Sequence, residues 1–181
     1  FDGNASDMSG NDNHGTPHNG VALGPDRFGR PSKAFAFDGI NDYVDSSNEK
    51  ASPNAGTMTA WIKPNEISHE QVVVGLDDVQ GYSMFTTSYY GGKMMFRAGQ
   101  VPQIRQCSTD FTYGTGNWIQ VAMTWNGSGT PFQGFVNGVQ VATNASQGTE
   151  GFTGSGLMNI GRSQNYFFNG SIDDVRIYDR A

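Results

Sequence analysis

One cysteine, four glutamates and no long apolar stretch: this chain of 181 residues is short of several things that larger fold classes require. Cys107 has no second cysteine with which to close an internal disulfide, so cystine bridges set neither the fold nor the redox compartment. With no histidine near it in sequence, Cys107 reads as a small buried hydrophobe on a strand and not as a nucleophile. Glutamate stands only at 49, 66, 70 and 150, and charged residues make up 15% of the chain. Helical surfaces draw heavily on Glu, Lys and Arg, so this scarcity argues against a bundle or a coiled coil. Eleven basic residues, spread singly, face seventeen acidic ones for a formal net charge of −6. A chain without a basic face cannot neutralise phosphates, which argues against a nucleic-acid binder. No apolar run approaches the ~20 residues of a helical membrane span.

What the chain does have is glycine (25 residues) and aromatic side chains at 12%. With abundant Asn, Ser and Thr, these are the materials of short strands joined by tight turns. The first thirty residues carry almost no apolar periodicity and read as loop, with one short strand at each end at most. Thr57 to Lys63 alternates, with Met58, Ala60 and Ile62 on one face and Trp61 on the other, until Pro64 ends the strand. Trp118 to Trp125 alternates likewise, with Ile119, Val121, Met123 and Trp125 together. Tyr82 to Thr87 and Lys93 to Ala98 flank Tyr89-Tyr90-Gly91-Gly92 as a hairpin, and Asn137-Gly138 joins two further strands through a type I′ turn. Ten or more short strands, turning every ~8–12 residues, predict an all-β antiparallel sandwich of the jelly-roll kind.

Seven segments carry a resemblance. FDGNASDMSGNDNHG, DRFGR, AFAFDGINDYV, TMTAWIKP, GNWIQVAMTWNG, FVNGVQVA and FNGSIDDVRIYDRA follow one another in the order seen in laminin G-like, concanavalin A-like jelly-roll domains of the bacterial modular kind. The chain resembles these nearly throughout, most loosely between Glu66 and Tyr113. The resemblance implies two curved sheets packed face to face, terminal strands lying side by side, and often a structural calcium ion. It also implies one domain over residues 1–181, a module within a longer secreted or cell-surface chain.

Calcium takes six to eight oxygens from loops rich in Asp, Asn and Gly. Asp2, Asn4, Asp7 and Asp12, Asp38, and Asp173-Asp174 offer such oxygens, although the EF-hand pattern is absent. By the resemblance, Asp173, Asp38 with the carbonyl of Gly39, Asp2 and Asn4 are the expected ligands. The alternative is that these side chains cap turns. Sugar recognition needs aromatic faces beside planar polar groups. Tyr89 and Tyr90 at a hairpin tip, Tyr113, and Tyr166 before the last strand are the aromatic candidates, with Arg97, Gln103 and Arg105 as polar partners. Phe167, Phe168 and the three tryptophans are assigned to packing.

Glycosidases share the fold, and a retaining one needs two carboxylates ~5–5.5 Å apart. No suitable spacing occurs; Asp173 and Asp174, being adjacent, are expected on opposite faces of a strand. His14, His18 and His69 fall in loops, and Gly15 and Pro17 forbid the helix that would make His14 and His18 a zinc pair. The expectation is therefore a non-catalytic extracellular module binding a polysaccharide or other glycan. A protein-adhesion module is the alternative, and an unliganded spacer the third.

Overall fold

The computed structural model describes residues 1–46, 50–51, 55–76, 83–87, 93–98, 105–126, 132–144 and 155–181, and among them there is no helix. The strands are β1 (Gly15–His18), β2 (Ala22–Gly24), β3 (Ala34–Asp38), β4 (Tyr43–Ser46), β5 (Lys50–Ala51) and β6 (Ala55–Pro64). They continue with β7 (Gln71–Leu76), β8 (Ser83–Thr87), β9 (Lys93–Ala98), β10 (Arg105–Thr112), β11 (Ile119–Asn126) and β12 (Phe132–Val136). Last come β13 (Val139–Asn144), β14 (Ser155–Gly156), β15 (Met158–Ile160), β16 (Arg162–Ser163), β17 (Tyr166–Phe167) and β18 (Asn169–Tyr178). A first sheet runs β1-β4-β15-β7-β8-β9-β10 and a second runs β13-β12-β11-β6-β18-β3-β2, with every neighbouring pair antiparallel. This is the expected all-β sandwich.

Period-two patterning builds the core. Met58, Ala60 and Ile62 of β6 and Ile119, Val121, Met123 and Trp125 of β11 all turn inward and are buried. From the first sheet Val44, Val73, Val74, Met94 and Phe96 meet them. Two glycines make the fit possible. Trp125 lies over its register partner Gly56, where a Cβ would come within 2.2 Å of the indole. Phe96 sits equally close to Gly134 of the opposite sheet. The Asn137-Gly138 turn has φ of 49° and 77°, as a type I′ hairpin demands.

Three features depart from expectation. β1 forms within the loop-like opening segment, at the edge of the first sheet, where Pro17 needs no ladder partner on its open side. β18 lies between β6 and β3, whereas β1 belongs to the other sheet, so the outermost strands are not side by side. Finally, β18 carries a bulge between Asp173 and Arg176, with Asp174 at φ 51°.

Candidate functional site

Of the sugar-binding candidates, Tyr89, Tyr90 and Gln103 lie outside the described residues. Arg97 sits half-buried on β9, opposite Ser83 on one side and Gln106 on the other. Arg105 opens β10 opposite Ala98, one register step away, so strand pairing does not set the two arginines against each other. Tyr113 is a correction: at 4% exposure it belongs to the core, its ring packed between the sheets after the end of β10, and it presents no face to a ligand.

Tyr166 is 40% exposed, at the start of β17 in a two-strand hairpin whose turn holds Gln164 at φ 54°. Glu70, just before β7, and Tyr166 both lie near enough to Arg97 to act on its charge. Burial pushes the Glu70 carboxyl up and the Arg97 guanidinium down, and the charge of each opposes the other's shift. Arg97 and Met95 share the side of β9 that faces away from the main core, and there Met95 and Val72 form a small cluster of their own. An exposed phenol ring, a guanidinium and a carboxyl thus lie within electrostatic reach of one another, beside the buried Val72 and Met95.

A second group on the first sheet was not foreseen. His18 of β1 pairs in register with Tyr43 of β4, and their rings stack at 4.4 Å and 11°. His18 Nε2 lies 3.1 Å from Asp45 Oδ2, and the Arg162 guanidinium stands 4.3 Å from the Tyr43 ring centroid. Val44 between Tyr43 and Asp45 points into the core, so this group also occupies the outward side of the sheet. The available signal was the alternation of Asp42-Tyr43-Val44-Asp45; recognising His18 as its partner needed the long-range strand pairing.

Of the expected calcium ligands, Asp173, Asp2, Asp38 and Asn4 each have partners of their own. Asp173, with its side chain 5% exposed, lies 3.2 Å from Arg27 Nη1. Asp2 is ion-paired with Lys33. Asp38 Oδ1 accepts the amides of Ile40 and Asn41 in the turn that contains Gly39, and Asn4 Oδ1 accepts the amide of Ser6. Among the described residues no group of three or more His, Cys, Asp or Glu could hold a metal ion. The turn-capping alternative describes Asp38 and Asn4, and arginine and lysine take the other two carboxylates.

Arg27 also corrects the reading of Asp173 and Asp174 as facing opposite ways. The β18 bulge turns both toward one guanidinium, whose Nη2 lies 3.0 Å from Asp174 Oδ2. The same guanidinium stands 4.6 Å from the Phe28 ring centroid and 4.7 Å from that of Trp61. Trp61 and the fully buried Trp125 thus act in packing, as does Phe168, buried in the core.

No curated protein matches the chain in sequence. Among solved structures, domain 4 of AbnA, an extracellular arabinanase from Geobacillus stearothermophilus solved in complex with arabinotriose, is similar at a TM-score of 0.74. It is 21% identical, over 97% of this chain and 86% of that one. A heptameric SAP-like pentraxin from Limulus polyphemus is similar at 0.63, with 17% identity over 81% of this chain and 75% of that one. The binding domain of botulinum neurotoxin DC, in complex with SialylT, reaches 0.71 at 16% identity over 97% of this chain, which spans 45% of that structure. At these identities the likeness is one of fold. A family profile matches residues 38–181, and by that match the chain belongs to the concanavalin A-like lectin/glucanases superfamily.

Proposed function

We propose that this chain is a non-catalytic carbohydrate-binding module, extracellular and carried by a larger protein, whose glycan site is the outward side of the first sheet around Tyr166, Arg97 and Glu70. The observation that carries this reading is an exposed aromatic ring, Tyr166, with the Arg97 guanidinium and the Glu70 carboxyl within electrostatic reach. A sugar ring lays its C–H face on the phenol, while its hydroxyls donate to the carboxyl and accept from the guanidinium. The arabinotriose bound to the Geobacillus domain supports the reading by analogy of fold. Catalysis is disfavoured by chemistry: the adjacent carboxylates of Asp173 and Asp174 are bound by Arg27, an arrangement suited to holding strands and not to exchanging protons.

A single shallow contact of this kind binds weakly, and a polymer gains retention through repeated encounters at high effective concentration. The test is retention of the chain on a panel of immobilised neutral, uronic and sulfated polysaccharides. Retention by one chemical class, released by its soluble oligosaccharide, is the expected result. Passage through every column unretarded would overturn the reading in favour of protein adhesion.

A further inference from the structure

A cleft of about 640 Å³ opens at one edge of the sandwich, where the N-terminal segment passes across β4, β15 and the end of β18. Its apolar lining comes from Val44, Met158 and Val175 at the border of the core. Its opposite wall is built from the amides of Asn4, Asn11 and Asn13.

That wall is held by its own bonds. The amide of Gly15 donates to the Ala5 carbonyl at 2.7 Å, and the amide of Asp7 to His14 Nδ1 at 3.0 Å. The Asp7 carboxylate accepts the amides of Ser9 and Asn13. These contacts leave Asn4 Nδ2, Asn11 Oδ1 and both polar atoms of the Asn13 side chain without a partner among the described residues. The carboxylates of the lining are already answered: Asp2 by Lys33, Asp7 by backbone, Asp45 by His18, Asp174 by Arg27 and Arg176. Charge at the cleft is spent, while neutral donors and acceptors facing an apolar surface are not.

We infer that this cleft is a second binding site, taking a short neutral saccharide whose C–H face rests on Met158 and Val175 and whose hydroxyls meet Asn4 and Asn11. It is separate from the Tyr166 group and stands whether or not that group binds a glycan. The wall is pre-ordered, so little of the binding energy is lost in shaping it.

The experiment is an amide NMR titration of the full chain with the methyl glycosides of glucose, galactose, xylose and arabinose, and with glucosamine and glucuronic acid as charged comparators. Saturable shifts at residues 4–13 and 175–178 with a neutral glycoside are expected. They weaken at least about tenfold in Asn11→Trp, which fills the cleft, and persist in Tyr166→Ala. Should Asn11→Trp fail to fold, the double change Asn4→Ala with Asn11→Ala serves in its place. Absence of saturable shifts, equal shifts in the blocked variant, or a preference for either charged sugar would overturn the inference.

Discussion

Two arginines of this molecule keep similar company and do different work. Arg27 and Arg97 each have aromatic and acidic neighbours. Around Arg27 the geometry is closed: two carboxylates at 3.0 and 3.2 Å, two rings below 5 Å, and a side chain only 20% exposed. Around Arg97 the aromatic neighbour is exposed, and the acid is one whose carboxyl burial pushes up. Composition alone does not separate the two. A β-bulge does, because at Asp174 the positive φ brings a second carboxylate round to Arg27 and completes its shell. The first group straps the N-terminal segment to the last strand; the second is the one proposed to meet a ligand, through its exposed ring.

Breaking the strap should have the largest effect. Arg27→Ala leaves the buried Asp173 carboxylate without its guanidinium, and a loss of about 3 kcal/mol in urea denaturation is expected, with glycan binding per folded molecule unchanged. A loss no larger than that of an ordinary surface change would mean that Arg27 does not hold the strand. Next comes Tyr166→Ala, expected to weaken glycan binding by about tenfold while the melting temperature hardly moves. If the variant unfolds, the ring belongs to the structure and the contrast between the two arginines collapses.

Two aspartates sharpen the comparison through pH. Burial pushes Asp26 up, but the amides of Phe28 and Arg30 and the Arg30 side chain outweigh it and hold the carboxyl below the usual range. Its stabilising contribution is complete above the unfolded value near pH 4 and is lost as pH falls through the lower folded value. Asp42 is the reverse: burial pushes it up, against a single amide bond from Asp38. Its contribution is complete in acid and is lost as pH rises through the raised folded value. Thermal melts should therefore show Asp26→Asn less stable than the parent at pH 7 and Asp42→Asn more stable, both differences closing toward pH 3. Parallel curves at all pH values would refute the assignment. The smallest effect is expected from a chelator. With Asp2 and Asp173 paired to cations of the chain itself, EDTA should leave the melting temperature unchanged, and a clear fall would put a bound cation back into the account.

The strands were legible where one rule sufficed. Alternation over β6 and β11 placed Met58, Ile62, Met123 and Trp125 in the core, and Asn137-Gly138 marked its hairpin. The site was legible only in part, because its elements meet across long stretches of chain. Tyr166 and Arg97 were visible as residue types, whereas the stack of His18 on Tyr43 depends on pairing β1 with β4. Tyr113 misled because a tyrosine just ahead of a glycine-containing turn looks the same in sequence whether its ring turns inward or out. Asp173 and Asp174 misled because period two has no place for a residue at positive φ within a strand.

Glycan binding at the outward side of the first sheet is proposed to depend on Tyr166 and Arg97. Calorimetric titration of the parent chain and of Tyr166→Ala, with soluble oligosaccharides of the class that retains the chain, tests it most directly. Measurable binding by the parent and a loss of about tenfold or more in the variant, with identical melts, is the predicted result. Equal affinity in the two proteins would contradict the account.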